Sequence, residues 1–369
     1  MTGINKLLIY RFGQIGDTVA ALPSLWLLRT CFAEADFTLL SEIPRQGNQL
    51  PPEKVLPAGW PVQGFMKYRG GSSLGSFLSQ AKVIFSLRWK RFDAVAYMAP
   101  SIRTPRQRKR DALFFRLAGI KRSFGFEGFP DDPYPRLATG SLAPVMNEAE
   151  ALLRRLAISG LPSVKAGCGC TDLRITPKEQ AAADQWWKNH DGPLRAPQGW
   201  FAVCTGSKWT SKQWPLDRYL EVGRRLMLEQ GLLPVVVGGS EDRGTAEKLI
   251  ASWGGGLCAA GDLSVRESAA LLGGAAFYLG NDTGTMHLAA SMGRPCVAIF
   301  SSVDWPGRWT PYGHGHQVFR VEVPCSGCLL QECNQEHQCL VATDVDSVYQ
   351  ACVTAASASA LNLHRQVPP

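Results

Sequence analysis

The chain has 369 residues, 45% hydrophobic and 19% charged. That length exceeds what one hydrophobic core usually organises and predicts two domains of roughly 150 to 200 residues. No apolar run approaches the ~20 residues that cross a bilayer, and Lys6 to Tyr10 has neither the length nor the cleavage site of a signal peptide, so a cytoplasmic protein is expected. Eleven cysteines are too dilute over this length for a disulfide scaffold, and the odd number leaves at least one free thiol. The net charge of +8 is unevenly spread: residues 1–172 carry 23 Lys and Arg against 13 Asp and Glu, residues 173–369 carry 16 against 18. A basic first half suits an anionic partner such as phosphate, an anionic membrane or nucleic acid; a solubilising surface is the alternative.

In chain order, Lys6 to Phe12 reads as a strand, Gly13-Gln-Ile-Gly-Asp17 as a turn, and Thr18 to Phe32 as a helix. Apolar segments Phe37 to Leu40 and Ala94 to Met98 follow, then a helix over Asp111 to Ala118. Pro, Gly and Ser thicken between 159 and 172, and Pro177 to Trp187 reads as a helix capped by Thr176. The domain boundary is therefore placed near 172, giving domains 1–172 and 173–369. In the second, strands are predicted at Trp200 to Thr205, Leu233 to Gly238, Ala276 to Gly280 and Cys296 to Phe300. Helices over Leu216 to Gln230 and Asp242 to Trp253 separate them, an Ala-rich helix closes at Asp344 to Leu361, and Arg365 to Pro369 is a loose tail. Continuous apolar strands alternating with helices predict an α/β fold with parallel sheets covered on both faces, whose ligands bind beyond the strands' carboxyl ends.

Four turns are candidate sites. Gly13 to Thr18 pairs a tight glycine turn with a helix N-terminus; it lacks the third glycine of the dinucleotide fingerprint, which argues against a nicotinamide dehydrogenase. Asp17 there is either a helix cap or a base. Gly280 to Ser291 leaves a strand through Asp282 and Thr283 and enters a helix at Gly284, a suitable cradle for a diphosphate. His287 on that helix is either a donor or a packed core residue. The loop Gly206 to Pro215, with Ser207 and Lys212, suits a phosphate group. In Gly238 to Asp242, the carboxylates of Glu241 and Asp242 could accept hydrogen bonds from ribose, or the segment could simply be a helix N-cap with an acidic first turn.

Together these residues resemble glycosyltransferase family 9, the bacterial lipopolysaccharide heptosyltransferases. Arg11-x-Gly-x-Ile-Gly-Asp17 is similar to the family's opening motif. Gly280 to Trp309, through His287, Gly293, Pro295, Asp304, Arg308 and Trp309, is similar to its closing one, Ser211-Lys-Gln-Trp-Pro215 to its Lys-x-Trp loop, and Arg116 to Gly125 also fits. The resemblance spans nearly the whole chain. It implies a GT-B architecture, two doubly wound Rossmann-like domains facing a cleft. The first would bind the acceptor and the second, with its C-terminal helix, the nucleotide sugar.

It further implies an inverting transfer of heptose from ADP-heptose to the phosphorylated inner core of lipopolysaccharide, at the inner face of the cytoplasmic membrane, with no cofactor required. Asp17 would be the general base; Lys212, Thr283 and Gly284, with Ser207, Glu241, Asp282 and His287, would hold the donor. Gly16, Lys67, Arg69, Arg103 and Arg122 would meet the acidic acceptor. Rival readings are a same-fold enzyme using another nucleotide sugar or a protein acceptor, and a non-enzymatic anion or nucleic-acid binder built on Arg103 to Arg110; nucleic acid is not the expected partner. Cys325, Cys328, Cys333 and Cys339 have a spacing that can bind structural Zn or Fe, against reduced packing thiols or disulfides. A similar cluster holds iron in some protein-modifying relatives.

Overall fold

The computed structural model describes residues 3–365 except 44–49, 58, 70, 72–73, 192–194 and 197. The expected tail beyond Arg365 lies outside the described residues. The chain forms two compact units, Met1–Pro133 with Met146–Leu173, and Tyr134–Val145 with Arg174–Pro369.

The first unit holds a parallel sheet of β1 (Lys6–Tyr10), β2 (Asp36–Glu42), β3 (Gly64–Tyr68), β4 (Ala94–Tyr97) and β5 (Arg122–Phe124) in the order β3-β2-β1-β4-β5. The second holds β6 (Trp200–Cys204), β7 (Leu233–Val236), β8 (Leu257–Cys258), β9 (Tyr278–Asn281), β10 (Cys296–Phe300) and β11 (Gln317–Arg320) in the order β11-β10-β9-β6-β7-β8, again all parallel. Both are doubly wound, as expected. In each unit the strand order reverses at one place, between β1 and β4 and between β6 and β9. Beyond the carboxyl ends of those strands two loops diverge and leave a crevice. Register fixes which loops these are: Tyr10 pairs with Tyr97, and Cys204 with Gly280.

Between their ends the central strands are apolar, because helices cover both faces. Leu7, Leu8 and Ile9 in β1 and Phe201, Ala202 and Val203 in β6 are fully buried. Truncating one such aliphatic side chain costs about 2–5 kcal/mol. The predicted helix Thr18 to Phe32 is two helices, Ile15–Ala20 and Leu22–Cys31. Pro23 has no N–H to give to the carbonyl four residues earlier, and the chain breaks just ahead of it. The helix expected from Asp111 begins at Pro105, capped by Thr104, whose hydroxyl accepts from Gln107 N, so most of the basic run is helical.

Tyr134–Val145, placed by sequence in the first domain, packs with the second unit. Trp305 Nε1 donates to Pro135 O at 2.7 Å, Leu142 N to Glu322 at 2.8 Å, and Val145 N to Pro306 O at 2.9 Å. Nothing in its Pro-rich composition marks that partner. Among the described residues no helix is long and apolar enough to cross a membrane.

Candidate functional site

In the first unit the crevice is organised by Arg11, the residue after β1. Buried arginine needs several acceptors, and it has them. Nη2 and Nε reach the Asp17 carbonyl at 2.7 and 3.1 Å, Nη1 reaches Met98 O at 2.8 Å, and Nη2 lies 3.3 Å from Asp17 Oδ1. Glu148, also buried, sits 3.8 Å from Arg11 Nη1 and accepts from Ser101 N at 3.1 and 3.2 Å. Asp17 Oδ2 accepts from Gln14 N at 2.9 Å. The carboxylate folds back over Gly13, whose φ of +128° and missing Cβ both matter, since a Cβ there would collide with Asp17. Asp17 is thus fixed and still part-exposed beyond β1, while the opposing charges of Arg11 and Glu148 lie beneath it.

In the second unit, β9 ends at Asn281, whose amide ties the two ends of the loop after β6 to the helix Leu216–Gln230 that follows it. Its Oδ1 accepts from Trp214 N at 3.1 Å and Tyr219 Oη at 2.8 Å, and its Nδ2 donates to Thr205 O at 2.8 Å. That positions the short turn Thr210–Lys212, which Ser211 also anchors by donating to Leu330 O at 2.6 Å. Lys212 Nζ then meets Asp282 Oδ2 at 2.6 Å. The next residue, Thr283, precedes the helix Gly284–Ser291, yet its hydroxyl pairs with Thr285 at 2.7 Å and does not cap the helix. The first-turn N–H groups therefore keep their pull on an anion. Gly280 lets the strands close here, because a Cβ would lie 2.6 Å from Cys204 O.

Ser207 is in the same loop as Lys212, its carbonyl accepting from Gln213 Nε2 at 2.8 Å. Glu241 is exposed on the turn Ser240–Asp242 and near enough to Lys208 to oppose the lowering of that ammonium's pKa by burial. Its neighbour Asp242 turns inward: its Oδ2 accepts from Gly239 N at 2.9 Å, and a Cβ at Gly206 or Gly238 would strike its carboxylate. Burial raises the Asp242 pKa, Gly239 N opposes the rise, and the Glu241 charge adds to it. His287 is buried in the helix following Gly284.

The expected acceptor residues do not converge. Gly16 is beside Asp17, and Arg103 follows β4, where it makes two bonds to Asp111 at 3.0 and 2.8 Å and lies over the Phe12 ring. Lys67, however, is on edge strand β3 and pairs with Glu53, and Arg69 follows it. Arg122 opens β5 on the opposite edge, over Phe124. Lys67 and Arg122 are four strands apart and cannot grip one small group.

Among the cysteines, Cys333 Sγ accepts from Gln335 N and His337 N at 3.4 and 3.3 Å, and Cys339 Sγ from Ser302 N at 3.3 Å. Burial raises the Cys339 thiol, the Ser302 N–H opposes it, and Cys325, Cys333 and Cys328 add to the rise, so the four are neighbours as free thiols. Among the described residues, no three His, Cys, Asp or Glu side chains are grouped to hold a metal ion.

The profile of glycosyltransferase family 9 (heptosyltransferase) matches residues 148–338, just over half of the chain. This chain belongs to glycosyltransferase family 9. Lipopolysaccharide heptosyltransferase 2 of Salmonella typhimurium is 26% identical over 139 residues, 36% of this chain and 39% of that protein. The chain thus spans about two-fifths of the length of that curated relative. Among solved structures, the family 9 glycosyltransferase of Veillonella parvula has a TM-score of 0.70 at 17% identity, covering 95% of this chain and 97% of that one. The ADP-heptose lipopolysaccharide heptosyltransferase II of E. coli has 0.65 at 18%, covering 95% and 98%. These likenesses establish the shared GT-B fold. Within this family 9 chain, the sequence alone assigned no role to Arg11, Glu148 or Asn281. Arg11 and Glu148 are polar residues that become buried, and each finds partners far along the chain, Arg11 at Met98 O and Glu148 at Ser101 N.

Proposed function

We propose that this family 9 glycosyltransferase transfers heptose from ADP-heptose to the phosphorylated inner core of lipopolysaccharide, with inversion, at the inner face of the cytoplasmic membrane. The observation that carries it is the Lys212–Asp282 pair ahead of an uncapped helix N-terminus, at the reversal of strand order in the second unit. An ammonium and a row of N–H donors suit the two phosphates of a nucleoside diphosphate, and the diphosphate displaces Asp282 from Lys212 on binding. The names of the similar proteins, which specify heptose, ADP-heptose and lipopolysaccharide, support this donor and acceptor.

In the reaction, the acceptor hydroxyl oxygen bonds to the anomeric carbon as the bond from that carbon to the donor phosphate oxygen breaks. The bonding pair leaves with ADP. Asp17 takes the hydroxyl proton, and Lys212 and the helix N-terminus hold the charge that develops on the leaving phosphate. No cofactor enters this scheme.

Thermal shift with a donor panel tests it. A ligand at a hundred times its Kd adds about 2.7 kcal/mol to the folded state, so ADP-heptose is expected to raise Tm and UDP-sugars to leave it unchanged. A shift with a UDP-sugar and none with ADP-heptose would overturn the donor assignment.

A further inference from the structure

In the first unit the helices Leu74–Lys90 and Pro105–Leu117 adjoin, Arg88 Nη1 donating to Leu117 O at 3.3 Å. Each turns an apolar stripe to the core: Val83 and Leu87 from one, Phe115 from the other. The outward faces are unusual for a protein surface. On the first helix Leu78, Lys82, Phe85 and Trp89 recur at spacings of four, three and four, and so share one face. Leu78 is 53% exposed, Phe85 71% and Trp89 82%. On the second, Arg106, Arg110, Leu113 and Leu117 repeat that spacing, with Leu113 at 55% and Leu117 at 54%. Large side chains left this bare on adjoining helices mark an interaction surface.

Charge selects the partner. The first helix carries three Lys or Arg and the second five, against a single carboxylate, Asp111. That carboxylate is buried and already taken by Arg103, Arg110 and Tyr97. The face therefore offers cations with no surface anion among them, interleaved with Trp, Phe and Leu. An interfacial Trp with flanking cations is the pattern that seats a helix at the headgroup level of an anionic bilayer. A protein partner would need carboxylates matched to these positions, whereas a lipid surface supplies anions without a fixed geometry.

We infer that this helix pair is a docking face for an anionic phospholipid bilayer. It deepens the proposed function, resting on it only for the reason that a lipid-borne acceptor needs such contact. Arg103, just ahead of the second helix, turns inward to Asp111 and is not part of the face.

The test is co-sedimentation with vesicles of phosphatidylcholine alone and of phosphatidylcholine mixed with phosphatidylglycerol, with no donor or acceptor present. The wild type is expected to bind the mixed vesicles, to lose binding at high salt and to ignore the neutral ones. Phe85→Ser/Trp89→Ser and, separately, Lys82→Glu/Arg106→Glu are each expected to weaken partitioning at least tenfold at unchanged Tm. If the wild type fails to bind, or both variants bind as it does, the docking face is wrong. It is equally wrong if light scattering shows a wild-type dimer that Phe85→Ser/Trp89→Ser turns into a monomer with vesicle binding intact, since a second copy then covers the face. Turnover on a water-soluble core oligosaccharide separates the two readings. Wild-type turnover by the Phe85→Ser/Trp89→Ser variant is expected, whereas its absence in every protein counts against the transferase and leaves the vesicle result standing.

Discussion

The Arg11 guanidinium holds Asp17 at two points, 2.7 Å from its main-chain oxygen and 3.3 Å from Oδ1, while its other nitrogen faces Glu148 at 3.8 Å. Asp17 is consequently fixed in place by a buried ion pair, and its stability and its chemistry are separable.

Removing Arg11 exposes that separation. Arg11→Met removes one of two buried cations beside Glu148, Arg155 being the other, and weakening such a buried pair costs up to about 3–5 kcal/mol. The urea midpoint is expected to fall accordingly. Glu148→Gln is expected to cost less in the Arg11→Met background than in the wild type, because the Arg11–Glu148 attraction is already lost there. Strict additivity in the double-mutant cycle would show the two side chains to be uncoupled.

In the proposed scheme Lys212 meets the departing phosphate. Lys212→Ala is expected to lower kcat by about 10²–10³, the usual cost of one preorganised electrostatic contact. Lys212→Arg should recover part of the loss. Asp282→Asn, which releases Lys212 without removing its charge, should affect donor KM more than kcat. Steady-state kinetics distinguish these patterns, and an unchanged kcat in Lys212→Ala would contradict the role.

Asn281 uses its amide in both senses, as acceptor for Trp214 and Tyr219 and as donor to Thr205. Asn281→Asp keeps the acceptor and loses the donor. Leaving a buried carbonyl unsatisfied costs about 1–3 kcal/mol, so both the urea midpoint and donor binding should drop, since the same amide positions the Lys212 turn.

Acid stability has an identifiable contributor in Glu179. Burial pushes this carboxyl up, but Arg266 at 2.6 and 2.8 Å and the Thr176 N–H at 2.8 Å outweigh it and hold the pKa to about 2, against an ordinary 4.5. A lowered folded-state pKa contributes stability that is complete above about pH 4.5 and is lost as pH falls towards 2. Urea unfolding across that interval should show Glu179→Gln with a flatter decline than wild type. Parallel curves would remove Glu179 as the cause.

The fold was legible because its signals are local. Each long apolar strand announces itself by composition, and turns such as Gly13 to Asp17 and Gly280 to Gly284 sit directly after strands, where a doubly wound sheet places its ligands. What escaped was set by distant partners. The two-residue β8 has no periodicity to read, and Tyr134–Val145 belongs with the second unit only through Trp305, Pro306 and Glu322. Arg11 could be read as part of a motif, but its function as the anchor of Asp17 depends on Glu148. The dispersal of the expected acceptor residues has a related reason: a surplus of basic residues in a sequence carries no information on which sheet edge each occupies, and Lys67 and Arg122 occupy opposite ones.

The most direct test is turnover with ADP-heptose and a heptose-deficient lipopolysaccharide acceptor, comparing wild type with Asp17→Asn. The proposed chemistry predicts a heptosylated product of inverted anomeric configuration from the wild type. In the variant it predicts kcat lower by about 10²–10⁴, the loss of a general base, with ADP-heptose binding retained. Near-normal transfer by Asp17→Asn, or no heptosyl transfer by the folded wild type, would contradict it.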